Sequence, residues 1–161
     1  MEDMSLWTAI VILFASSLPL VEYIITIPAG IVFLNLPPVA TVVLSMIGNS
    51  IGVVIFILLS EKIQTWLEGR RERKGLPKKV SKRTERTQRY LDRYGMAGVG
   101  FLAPILLSSH LGAITAVALR VTKGYAIFWT VIGVTFWSIV IGFVCVYAGE
   151  WIRSFYGPLF G

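Results

Sequence analysis

The sequence is short of charge over most of its length. Residues 39–60 and 124–149 contain no Asp, Glu, Lys or Arg, residues 95–119 contain none, and residues 4–34 contain one, Glu22. About 20 apolar residues are enough to cross a bilayer core, and these runs leave no material for a separate soluble domain. Cysteine occurs once, at Cys145, which rules out an internal disulfide and leaves that thiol the part of a small apolar side chain in mid-span. Histidine also occurs once, at His110, so no His/Cys cluster with metal-ligand spacing exists. No GxSxG or HExxH is present, and no cofactor is implied. Ser108, Ser109 and His110 are chain neighbours, whose side chains are not expected to converge as nucleophile and base, so the protein is not expected to be an enzyme. The start, Met1-Glu2-Asp3, lacks the basic region of a cleaved signal.

The missing charge is concentrated in one place. Residues 61–94 hold 12 of the 15 Lys and Arg residues and 5 of the 9 acidic ones. Their net charge is +7 (12 minus 5), against −1 (3 minus 4) for the rest of the chain. A basic stretch flanked by apolar spans reads as a cytoplasmic loop under the positive-inside rule, not as a nucleic-acid surface. Anionic lipid headgroups are its expected partners. Within it, Ile63, Trp66 and Leu67 share one helical face, as do Val80, Thr84, Thr87, Leu91 and Tyr94, with a break at Gly75-Leu76-Pro77. Two amphipathic helices at the membrane surface and a solvated charged hairpin both fit that pattern.

Of the four apolar runs, two are interrupted. Residues 4–34 carry Ser16-Ser17-Leu18-Pro19, then Glu22, then Pro28-Ala29-Gly30. Residues 95–119 carry Pro104 and then Ser108-Ser109-His110-Leu111-Gly112. Proline removes a backbone donor and clashes with the preceding turn, so a helix must kink or stop there. The other two runs, 39–60 and 124–149, read as clean spanning helices. Pro19 and Pro104 lie 85 positions apart, as do Ile47 and Ile132, and Gly48 and Gly133. Two repeats are therefore expected within a single membrane domain, 1–161: 4–60, then the loop 61–94, then 95–152. If the broken runs enter and leave on one side, Arg120 and Lys123 join the loop in the cytoplasm and the repeats are inverted. If both cross fully, the repeats are parallel.

Glu22 is the costliest residue in this plan, since a charge at bilayer depth costs about 2.5–3.5 kcal/mol on insertion scales. It reads either as a protonatable, substrate-facing group or as a cap on the helix that starts at residues 22–24. His110 reads either as a proton relay or headgroup contact, or as a partner for backbone freed by the break. Asn49 and Ser50 on one clean span match Thr135 and Ser138 on the other, lining a cavity or bonding between helices. GNSIG, at Gly48–Gly52, has small-xxx-small spacing that allows a homodimer.

The stretch SSLPLVEYIITIPAG (Ser16–Gly30), GNSIG and the Arg93-Tyr94-Gly95 end of the basic loop resemble the small multidrug export protein family over roughly residues 14–152. FWTVIGVTFW, with Gly133 and Trp137, and Tyr147-Ala148-Gly149 resemble the wider DedA/VTT membrane superfamily. That second resemblance implies re-entrant hairpins facing each other at the membrane centre. It also implies proton-linked transport or flipping of lipids, including polyprenyl phosphates. Glu22 then stands for the acid of the first hairpin, and His110 falls near a motif arginine of the second. Phe101-Leu102-Ala103-Pro104-Ile105 lacks the arginines of that superfamily, which removes the usual partner of a phosphate.

The expected fold is an all-α integral membrane protein. It has two inverted repeats, each a re-entrant helical hairpin plus one transmembrane helix, joined by a basic amphipathic cytoplasmic loop. The expected function is a transporter or lipid flippase of a prokaryotic plasma membrane. Its substrate or proton pathway includes Glu22, His110, Ser108, Ser109, Asn49, Pro19 and Pro104. The alternatives are a small-drug or cation exporter, and a scaffold that recruits partners through 61–94.

Overall fold

A computed structural model describes residues 4–75, 82–106 and 108–156. Among them the secondary structure is helical, with no strand. The chain divides into two compact units: Met1–Gly52 with Val134–Gly161, and Val53–Gly133. The division falls inside the two helices long and apolar enough to cross a membrane, α3 (Pro38–Leu58) and α7 (Lys123–Tyr156).

These two helices carry the membrane assignment. Pro38–Leu58 and Lys123–Ala148 both have a mean hydropathy of 2.2, over 21 and 26 residues. At 1.5 Å per residue, each reaches roughly the 30 Å of a hydrocarbon core. Their outward faces settle what surrounds them. On α3 the exposed side chains Val39, Val43, Ile47, Ile51 and Ile55 recur every fourth residue, an unbroken aliphatic stripe. The buried side chains of its first half are Thr41, Ser45 and Asn49, again every fourth residue. A helix that is oily outside and polar inside inverts the pattern of a soluble core helix and suits lipid.

In the first unit, α1 (Leu6–Ser16) starts from Ser5, whose hydroxyl accepts from the Thr8 amide at 3.1 Å. It stops as the serines and Pro19 require. Ser16 Oγ donates to the Leu13 carbonyl at 3.0 Å and Ser17 Oγ to that of Phe14 at 2.6 Å, occupying carbonyls that a helix end leaves open. The Leu18 carbonyl then accepts from the Val21 and Glu22 amides at 3.2 and 3.1 Å, and α2 (Glu22–Pro28) begins. Pro28 has no N–H to donate, and past it the helix widens into a π-helical turn, Ala29–Phe33. Asn35 has a left-handed φ of 55°, and the Leu36 amide returns to the Gly30 carbonyl at 2.9 Å before α3 starts. Tyr23, Ile27, Ile31 and Val32 pack with Val134 and Cys145 in this unit's apolar core.

In the second unit, α4 (Ser60–Glu72) follows α3 after one residue, and Gly75 takes a left-handed φ of 62°. Leu76 and Pro77, the rest of the expected break, lie outside the described residues. The next helix, α5 (Lys82–Leu106), bends at Gly95, where φ 65° and ψ −167° are open essentially to glycine alone. Its first arm is the amphipathic stretch expected from sequence: Thr87 is buried, and Tyr90 and Leu91 pack on the core. Tyr94, expected on that face, is half exposed because the bend follows it. The second arm runs through Pro104, so the interruption expected there comes later, after Leu106. Ser108, at φ 104°, then opens α6 (Ser109–Ala118), and its amide reaches back to the Ala103 carbonyl at 2.9 Å. Arg120 has a left-handed φ of 72° ahead of α7.

Three landmarks recur at one spacing. Phe33 and Ala118 end the short apolar helices, Asn35 and Arg120 are left-handed, and Pro38 and Lys123 begin the long helices. Each pair is 85 positions apart, the interval that separates Gly48 from Gly133.

Candidate functional site

Each unit encloses a polar centre in otherwise apolar surroundings. In the first, the break after Ser16 places Glu22 at the start of α2, only 4 % exposed. Its φ is 46°, a left-handed value that a residue with a side chain seldom takes. One turn on, the Thr26 hydroxyl lies 3.1 Å from the Glu22 carbonyl oxygen and 2.9 Å from Ser45 Oγ. Ser45 and Asn49 are one turn apart on the polar face of α3, and both are fully buried. The Tyr23 hydroxyl and Ser138 Oγ are buried too, and among the described residues neither has a hydrogen-bond partner. Pro19 sits within the break that follows α1.

In the second unit, Ser109 and His110 are fully buried at the start of α6. Ser109 Oγ lies 3.3 Å from His110 Nδ1, so the two neighbouring side chains do converge, contrary to the expectation from their adjacency. The Phe56 ring meets the imidazole edge-on, with centroids 5.4 Å apart. Ser108 supplies the strained backbone ahead of these residues, and Pro104 lies within the last turn of the preceding helix. Ser60, Thr87 and Thr130 are further buried hydroxyls of this unit, also without a hydrogen-bond partner among the described residues.

Sequence reasoning picked out Glu22, Asn49, Ser138 and the Ser108–His110 run but passed over Tyr23, Thr26, Thr41 and Ser45. The four-residue spacing of Thr41, Ser45 and Asn49 was the available signal. Ser50 and Thr135, matched with Asn49 and Ser138 from sequence, are only half-buried. Among the described residues, no three His, Cys, Asp or Glu side chains come together as a metal site. The first unit buries one carboxylate, Glu22, together with several hydroxyls and the Asn49 amide. Such a set can take a proton or a cation and can hydrogen-bond a polar substrate.

No curated protein and no solved structure matches the chain. A family model described as "Putative small multi-drug export protein" matches residues 22–140, from Glu22 through the second polar centre and into α7. That match covers most of the sequence, and the chain belongs to the small multi-drug export protein family.

Proposed function

We propose that this integral membrane protein is an exporter in which Glu22 takes up and releases the driving proton or cation. The observation that carries the reading is the state of Glu22: 4 % exposed, left-handed, and in a membrane helix too short to span. An intramembrane acid held in strained backbone fits a functional group better than a structural one. The Tyr23 and Ser138 hydroxyls support it, since buried polar groups without partners cost about 1–3 kcal/mol each and suit a place that water or substrate visits.

The broken segments fit re-entrant hairpins. Leu6–Ser16, Glu22–Phe33 and Ser109–Ala118 are apolar helices of 11, 12 (7 plus 5) and 10 residues, roughly half the length a crossing demands. The landmarks 85 positions apart fit a duplicated unit, inverted when both hairpins return to their own side. Thr122 tests this, being exposed in the link ahead of α7. A cysteine there, in a chain lacking Cys145, is expected to react with an impermeant maleimide only from the cytoplasmic side. Reaction only from outside would remove the hairpins.

Movement of a lipid is a second reading, favoured by one feature of the first unit. Pro38, Val39, Val42, Val43, Ile139, Gly142, Phe143, Val146 and Tyr147 line an apolar groove of about 370 Å³, wide enough for part of an acyl chain. Purified protein in vesicles separates the two. A pH gradient is expected to drive a lipophilic cation dye across, while a fluorescent phospholipid stays in its leaflet. Lipid equilibration without dye movement would replace the first reading by the second.

A further inference from the structure

The basic segment aligns exposed basic side chains along its helices. Along α4, Lys62, Trp66, Arg70 and Arg73 follow one another at intervals of four, four and three, and so share an arc of roughly 80° on the helix. All four are exposed, and the Arg73 amide still bonds to the Gly69 carbonyl at 3.2 Å, so the stripe continues through the last turn. The guanidinium of Arg70 lies over the Trp66 ring, 5.3 Å from its centroid. In helical register Glu61, Glu68 and Glu72 come roughly 200–240° around from Trp66, and Arg71 roughly 140° around. The first arm of α5 also aligns basic side chains: Lys82, Arg86, Arg89 and Arg93 are exposed at intervals of four, three and four, away from buried Thr87, with the exposed acids Glu85 and Asp92 flanking them. There Arg93 lies 5.3 Å from the Tyr94 ring centroid, and Gln88 Nε2 ties back Asp92 at 2.7 Å.

We propose that the Lys62–Trp66–Arg70–Arg73 stripe of α4 is a binding surface for the phosphate headgroups of anionic membrane lipids. A solvated hairpin that merely fixed orientation would need positive charge but no sorting of it. Here the basic side chains of α4 are aligned along one face, and the described apolar side chain among them is Trp66. Trp is the residue that settles at the level of lipid headgroups. Position names the source of the phosphate: α4 begins two residues beyond the last residue of the spanning helix α3. A charge so close to the bilayer adds about 1 kcal/mol of attraction to an anionic surface.

The test uses the purified full chain in nanodiscs of phosphatidylcholine containing a minor fraction of phosphatidylglycerol, with co-purifying lipid counted by native mass spectrometry. Replacing Lys62, Arg70 and Arg73 together by Gln is expected to lower retention of phosphatidylglycerol about fivefold per charge. Replacing Glu61, Glu68 and Glu72 by Gln, which changes net charge by as much on the other side, is expected to leave the preference intact. Lys62→Arg keeps the charge and is expected to keep the lipid, so a folding defect shows as a fault in this variant as well. Equal retention by the triple Gln variant would overturn the proposal. So would displacement of the lipid by millimolar inorganic phosphate, which would mean a site for free phosphate. Equal capture of a soluble polyanion such as heparin would also overturn it.

Discussion

Glu22→Gln is expected to reduce transport by the reconstituted chain to the level of empty vesicles, with no loss of folded protein. Gln has nearly the shape of Glu and keeps its carbonyl oxygen, but it neither releases a proton nor attracts a cation. Folding should survive because the native charge is itself a burden, about 2.5–3.5 kcal/mol at bilayer depth. A second substitution sharpens the contrast. Glu22 has a φ of 46°, and the left-handed region costs a residue with a side chain about 1–2 kcal/mol. Glycine accepts that φ freely, at a backbone-entropy cost of about 0.5–1 kcal/mol. Glu22→Gly is therefore expected to outlast the parent chain on heating in detergent, followed by size exclusion, while transporting nothing. A residue kept for stability would give the reverse sign. Transport within twofold of the parent by either variant would end the case for Glu22 as the coupling group.

That pairing of strain with function explains how far the sequence could be read. The spans were legible because charge is absent from them, and absence of charge is a property of composition, not of geometry. The breaks at Pro19 and Gly75 were legible because proline and glycine act locally. The inward polar stripe of α3 was harder. Periodicity is usually read by asking which face is apolar, and around α3 nearly every residue is. Only the rarer polar residues, Thr41, Ser45 and Asn49, mark its inner face. The π-helical turn after Pro28 and the left-handed backbone at Glu22, Asn35 and Arg120 depend on how the chain closes on itself, which no local pattern encodes. Pro104 is the instructive case. By local rules it should end its helix, yet α5 continues to Leu106, because the carbonyl that Pro104 strips of its donor meets another backbone.

That backbone belongs to Gly133, and substituting it is expected to be the most damaging single change to folding. Pro104 has no N–H, so the Gly100 carbonyl, four residues back in α5, loses the donor of its ordinary α-helical bond. A Cβ built on Gly133 would overlap that same carbonyl oxygen, and one built on Gly100 would overlap the carbonyl of Trp129, one turn before Gly133. The two helices thus meet backbone to backbone, close enough for Cα–H groups to lie against a carbonyl, a contact worth a net ~0.5–1 kcal/mol. The first unit repeats the device: a Cβ on Gly48 would overlap the Leu13 carbonyl oxygen and the Ser16 hydroxyl at the end of α1. In both places an intact helix presents a glycine to the last turns of a broken one, whose carbonyls lack some of their donors. A rigid neighbour cannot make room as a flexible side chain would. Gly133→Ala should therefore cost at least the roughly 1–3 kcal/mol typical of overpacking, and Gly133→Leu should leave little folded protein in the membrane fraction. Gly124 is the control: it lies on the same helix with open space around its Cα, so Gly124→Ala should raise thermal stability by several tenths of a kcal/mol. The measurement is the melting midpoint of each purified variant in one detergent. Equal midpoints for Gly133→Ala and the parent chain would mean that α5 and α7 do not approach this closely, and the explanation for the unbroken helix through Pro104 would fall with it.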